Sequence, residues 1–282
     1  GVVTRAVLKL VPKPETRTTL LAAYVNEADA LRAVKAVLKA RLVPAILEFI
    51  DRQSCSCVLA KKQQEGGALP FKASPDKPPA LLLLEFDGEP AQVRRQAKAA
   101  RALLAGRALW SQQARSETQA EALWQVRRTC SQAMFALGDT KLNEDIVVPL
   151  HAQLPLLKYT LQLKRETGLA TPTFGHAADG NFHIHVMFDW DDAAQRERAK
   201  EAIDKIMHKV VELGGSITGE HGIGLAKSPY LRLQHSEAEI AAMQAVKQAL
   251  DPKGILNPGK IFTPFDMWEQ PRARDWRFSW DH

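Results

Sequence analysis

Residues 175–185 read GHAADGNFHIH, which places three of the chain's eight histidines and one aspartate in a single short stretch. Imidazole titrates near neutrality and is the commonest metal ligand, so such a cluster can hold a divalent cation or move a proton. Asp179-Gly180, between two β-patterned runs, predicts a hairpin with a two-residue turn. That turn sets His176 opposite His183, with Cβ atoms about 5 Å apart. His185, two residues further on, points to the same face. Two imidazoles this close repel each other when protonated. A shared metal removes the repulsion, and a polar hairpin face wetted by solvent tolerates it. The residues alone fit both.

GGSITGEHGIG (214–224) is the second unusual stretch. Its glycines let the backbone turn tightly and approach a ligand closely. Glu220 and His221 stand side by side there, able to offer a carboxylate ligand and a neutral base, or simply to line a solvated turn. The glycine spacing is not that of a dinucleotide fingerprint, which needs a strand, a tight turn and a helix in that order.

These side chains need elements to hold them. TLLAAYV (19–25) reads as a strand, and residues 26–41 as a helix with Asn26 as N-cap. LVPAILEFI (42–50) reads as a strand, residues 64–79 as a polar loop, ALLLLEF (80–86) as a strand and 89–106 as a helix ended by Gly106. This is a split βαβ order of ferredoxin-like type. After a long helix at 116–137, a similar order returns: strand 144–150, helix 154–168, strands 170–177 and 181–188, and helix 191–215. The expected fold is α+β, two ferredoxin-like βαββαβ-type halves with antiparallel sheet, followed by a C-terminal helical segment at 236–252.

Composition narrows the class. With 45% hydrophobic and 25% charged residues, the chain has an ordinary globular balance. No apolar run approaches the roughly 18–20 residues of a membrane span. Cys55, Cys57 and Cys130 are too few for a disulfide framework and read as small buried side chains in a reducing, cytoplasmic protein. The net charge of +6 is spread over helix faces without interleaved aromatics, which argues against nucleic acid. The opening GVVTRAVLKLVPKPE reads as a strand entered without a lead, so the chain is expected to be part of a longer polypeptide. The tail MWEQPRARDWRFSWDH (267–282), with Trp268, Trp276 and Trp280 beside Arg272, Arg274 and Arg277, reads as a surface for a partner or for its own domain.

GHAADGNFHIH, GGSITGEHGIGLAKSPYL and ALDPKGILNPGKIF, in this order, resemble the FAD-linked oxidase C-terminal domain. This is the substrate-side domain of the flavoprotein glycolate oxidases, D-lactate dehydrogenases and D-2-hydroxyglutarate dehydrogenases. The resemblance covers nearly the whole chain and implies that residues 1–15 form the exit strand of an absent flavin-binding domain, and residues 16–282 the substrate and cap domain. It implies FAD, bound mainly outside this chain, and a divalent metal, often zinc, held by His176, His183 and Glu220. His221 stands at the family's base. ALWQVRR (122–128) resembles the family's L-W-x-x-R, which points to Arg127 for the substrate carboxylate, with Lys141 as a second cation. His185 stands where some members have a residue near the substrate, and Asn257 and Lys260 match a segment that lies near the flavin. Ala178 departs from the pattern, since the family usually has Gly there, and Ala strains any turn that needs a positive φ.

The implied reaction is oxidation of a D-2-hydroxy acid, of glycolate or D-lactate type, to the 2-oxo acid. The isolated chain is expected to be colourless and inactive. The implied partners are the small 2-hydroxy acid, the flavin domain, and an electron-acceptor subunit or a second copy, through which the protein would reach a membrane. Two other readings stay open on the residues: a stand-alone metal hydrolase with an open water position, and a catalytically silent interaction domain.

Overall fold

The computed structural model describes residues 2–67, 69–71, 73–74 and 76–269. The first half runs β1 (Thr16–Tyr24), α1 (Glu27–Lys39), β2 (Ile46–Ile50), α2 (Arg52–Gln64), β3 (Ala80–Gly88), α3 (Pro90–Ala105) and β4 (Trp110–Gln113). After α4 (Glu117–Ala133) come β5 (Thr140–Val147), α5 (Gln153–Thr167), β6 (Thr173–His176), β7 (Asn181–Phe188) and α6 (Ala193–Glu212). Two more helices follow, α7 (Leu231–Gln234) and α8 (Glu237–Leu250). The starts of α1, α2 and α8 are set by side chains that satisfy orphan backbone donors. Asn26 accepts from Asp29, Asp51 from Ser54, and Ser236 forms a reciprocal capping box with Glu239.

The strands form one antiparallel sheet in the order β4-β1-β3-β2-β6-β7-β5. The first four are a ferredoxin-like unit with α2 inserted between β2 and β3. In the second unit the outer strand is reduced to one bridge, Val147 to Ser216. The units join edge to edge through β2 and β6. The expected α+β fold with two ferredoxin-like halves is therefore present, fused into a continuous sheet.

The sheet has two unlike faces. One carries Leu20, Leu82, Leu84, Phe49, Phe182, Ile184 and Val186 and is covered by α1, α3, α5 and α6 in a single apolar core. The other carries Leu21, Leu81, Leu83, Ile50 and Phe174 under α2 and α4, with Cys55, Cys57 and Cys130 buried as free thiols. Towards β5 this second face turns polar: Glu48 lies opposite His176, and His183 opposite Asp145.

Several elements differ from the sequence reading. α2 and β4 were not expected. RQSCSCVLAKKQQ is too polar to show a clear helical stripe, and WSQQ is a short edge strand. β5 starts at Thr140 rather than 144. Residues 2–14 pair with no strand among the described residues, and Val3, Val7 and Leu8 are exposed. Pro12 and Pro14 remove two ladder donors just ahead of β1. The hairpin register also differs: Phe174, not His176, lies opposite His183. Residues 177–180 form a four-residue loop in which Asp179 N–H donates to the His176 carbonyl. The shift is by two residues, so His176 and His183 keep their common face. Gly180 has φ 78°, and a Cβ there would run into the Val148 carbonyl, whereas Ala178 needs no positive φ and stands without strain. Trp268 stacks on Trp190 at 6.3 Å, while Trp276, Trp280, Arg272, Arg274 and Arg277 lie outside the described residues.

Candidate active site

The site is built on strands β2, β6, β7 and β5 and closed by the loop that carries Glu220. His176 and His183 approach edge to face with ring centroids 5.8 Å apart. The His176 Nε2 lies 3.8 Å, and the His183 Nε2 3.6 Å, from one oxygen of Glu220. His221 stacks on His183 at 5.4 Å, with its Nε2 3.9 Å from the same oxygen. The expected ligand set and the expected base therefore meet around one carboxylate, which is 54% exposed.

Asp145 holds that arrangement. Its Oδ2 accepts from the backbone N–H groups of Gly219 (2.8 Å), Glu220 (2.8 Å) and His221 (3.0 Å). Its Oδ1 accepts from the Asn181 amide at 2.7 Å. Burial alone would raise the Asp145 carboxyl, but the His221 N–H, the Asn181 amide and the Glu220 N–H outweigh it and hold the group well below the usual carboxylate range. The loop approaches so closely that a Cβ at Gly219 would overlap both the Asn181 amide and the Asp145 carboxylate. Lys227, itself buried, donates to the Asp145 backbone carbonyl. Burial lowers the Lys227 ammonium.

Glu48 is the second anchor. It is buried, accepts from His176 Nδ1 through one oxygen, and from Arg127 Nε at 2.6 Å through the other. The hydrogen bond to Glu48 raises His176 above its ordinary value. Burial and the charge of Arg127 push His183 down to about 4, so it is a neutral imidazole at physiological pH. Its Nδ1 is buried and makes no hydrogen bond among the described residues.

The remaining expected residues are spread more widely. Arg127 lies across the Phe174 ring at 4.1 Å, on the wall beside His176. Lys141 donates to the Ser131 hydroxyl at 2.7 Å, further along β5. His185 is only 1% exposed; its Nδ1 donates to the Pro172 carbonyl, and burial holds it neutral behind Phe174. Asn257 and Lys260 form a turn that makes no hydrogen bond or ion pair with the histidines among the described residues. It reaches the Glu220 loop through Ile261, whose N–H donates to the Gly224 carbonyl. A cleft of about 1040 Å³ runs along the β5 edge beneath α6; Lys141 and His221 line it, while His176, His183 and Glu220 do not.

Sequence reasoning missed Glu48, Asp145, Asn181, Gly219 and Lys227. The signal for Glu48 was present: a lone carboxylate inside the apolar strand LVPAILEFI asks for a buried partner. Asp145 had no such mark, because Glu144 beside it is buried too, on the opposite face.

Two donor sets are conceivable for a cation. Asp145, His183, Glu220 and His221 bring one atom each within 4.8 Å of one another. Asp145, however, already accepts the loop amides and the Asn181 amide, so it has little capacity left. His176, His183 and Glu220 converge with spacings of 3.6 and 3.8 Å to the shared oxygen. These are two imidazole nitrogens and one carboxylate oxygen, donor types that zinc takes. The residues present fit a divalent metal.

The fold and the sequence resemble those of known proteins. By fold alone, the chain matches substrate-bound p-cresol methylhydroxylase with a TM-score of 0.69 at 15% identity, covering 90% of this chain and 54% of that one. A 4-ethylphenol oxidase from Gulosibacter chungangensis follows at 0.65 and 16%, covering 91% of this chain and 56% of that one. Residues 13–261 match the family described as FAD linked oxidases, C-terminal domain. The chain belongs to this family. It is 39% identical to the glycolate oxidase subunit GlcD of Bacillus subtilis (strain 168), over 93% of this chain and 54% of that protein. It is 32% identical to a D-lactate dehydrogenase of Anaerostipes hadrus, over 93% of this chain and 55% of that protein. The chain thus spans about half the length of the curated relatives it matches. Among the described residues, no helix is long and apolar enough to cross a membrane.

Proposed function

We propose that this chain supplies the substrate side of a flavin-dependent dehydrogenase that oxidises a 2-hydroxy acid, of glycolate or D-lactate type, to the 2-oxo acid. The observation that carries the reading is the convergence of His176, His183 and His221 on a single Glu220 oxygen. His176, His183 and Glu220 hold a divalent cation, with zinc the best match to nitrogen and carboxylate donors. Such a cation, when bound, supplies Lewis acidity towards a hydroxyl or carboxylate oxygen. FAD, carried by a flavin-binding partner domain, supplies the two-electron acceptor.

The chain's own residues do the rest. His221, held by its backbone N–H on Asp145, takes the substrate hydroxyl proton. Arg127, held flat between Glu48 and Phe174, orients the substrate carboxylate, with Lys141 as a second cation. His185 forms the wall behind His183. Asn257 and Lys260, joined to the loop through Ile261, face the flavin side. An electron-acceptor subunit or a second copy completes the assembly.

The test is metal analysis of the purified chain with zinc titration. The parent binds one zinc, while His176→Ala and His183→Ala lose it. Full zinc occupancy in either folded variant overturns the ligand assignment. Zinc-loaded chain then binds glycolate or D-lactate in calorimetry, and Arg127→Met does so at least about tenfold more weakly, the loss of roughly one charge-assisted hydrogen bond.

A further inference from the structure

Resting on the metal reading above, we propose that Glu48 is a positioning residue that sets a metal ligand and the substrate-carboxylate arginine from one buried carboxylate, and so couples the two subsites. Glu48 sits on β2, directly opposite His176 across the β2–β6 pair. Its side chain is 3% exposed, and each oxygen has a different partner. One accepts from His176 Nδ1 and the other from Arg127 Nε.

The first contact places the His176 proton on Nδ1. It leaves the Nε2 lone pair turned towards Glu220, the direction a ligand needs. A carboxylate behind a ligating imidazole fixes its tautomer and ring orientation and raises its basicity. The second contact takes up Arg127 Nε, and the Phe174 ring at 4.1 Å fixes the plane of the guanidinium. Arg127 forms no other hydrogen bond among the described residues, so its two terminal amino groups remain for a carboxylate. Both side chains lean on a strand locked between β3 and β6. Moving Glu48 moves them together.

A carboxylate that merely neutralises a buried arginine would leave the histidine's tautomer and metal affinity untouched, and this separates the two roles. The experiment uses the 282-residue chain with zinc and oxalate as probes. In Glu48→Gln, zinc affinity by chelator competition falls about 10- to 100-fold, and oxalate affinity at saturating zinc falls with it. Arg127→Met weakens oxalate strongly while zinc stays within about threefold of the parent, a change too small for a lost ligand support. If Glu48→Gln does not fold, Glu48→Asp and nitrogen NMR of His176 in the parent decide. The expected tautomer in the zinc-bound parent is protonated at Nδ1 and metal-bound at Nε2. A folded Glu48→Gln with both affinities unchanged, or a His176 metal-bound through Nδ1, overturns the coupling and leaves the metal reading standing. A folded parent that binds no zinc overturns both.

Discussion

The two faces of the sheet use the same strands for opposite ends. Leu47 and Phe49 of β2 enter an apolar core under four helices, while Glu48 between them enters a polar lane. Along β7, Phe182, Ile184 and Val186 go one way, and His183 and His185 the other. The covered face stabilises by area removed from water, which is tolerant of detail. The polar lane survives burial only because each charge meets a specific partner: Glu48 with Arg127 and His176, Asp145 with the loop amides. Stability and chemistry are thereby separated by a period of two residues.

The largest expected effect that tests this contrast lies on the covered face. Phe182, fully buried and edge-to-face with Phe49 at 5.7 Å, loses about 3–5 kcal/mol of unfolding free energy on replacement by Ala. Urea unfolding measures it; a loss below about 1 kcal/mol would mean the core repacks freely.

Acid titration probes the other face in the zinc-free chain. His183 binds a proton near 6.5 when unfolded but only at about 4 when folded. Its contribution is fully present above pH 6.5 and is lost as pH falls towards 4, amounting to about 3 kcal/mol. His185, also lowered, acts in the same direction. His176 is raised by Glu48 and opposes them: its contribution is present at low pH and lost as pH rises. Unfolding midpoints between pH 7.5 and 4.5 should fall, and His183→Gln should flatten the slope; an unchanged slope removes His183 as its source.

Asp145→Asn comes next. It leaves Lys227 without its nearby charge, 4.0 Å away, and turns an amide against three N–H donors. A loss of about 2–3 kcal/mol is expected. Hydrogen exchange at Gly219, Glu220 and His221 should rise, and protection equal to the parent's would show that the loop is held by other means. The smallest effect on stability belongs to Glu220→Gln. The side chain is half exposed, so unfolding free energy stays within about 0.5 kcal/mol while zinc binding drops. A large destabilisation there would erase the distinction between the faces.

Much of this was legible in residues and spacing. Periodicity marked most elements, and DGN between β-patterned runs marked the hairpin. The turn length was not, because Gly180 takes its positive φ inside a four-residue loop rather than a two-residue turn. His176 and His183 still met, since a slip of two preserves the face. Clustered Glu220 and His221 announced themselves. Asp145 did not, and the lone carboxylate of Glu48 marked a buried partner without naming it, because the partners come from strands that are neighbours only after folding: β2 beside β6, and β5 beside β7.

The Asp145 contact has one more consequence. Successive N–H groups in a glycine-rich turn make a concave nest that attracts anions. Here the protein's own aspartate fills the nest from behind, through Gly219, Glu220 and His221. The loop is a receptor already plugged from inside, unable to compete for a substrate's negative end. On the proposed function, an incoming acid would then meet the guanidinium of Arg127 and the ammonium of Lys141, side chains on α4 and β5.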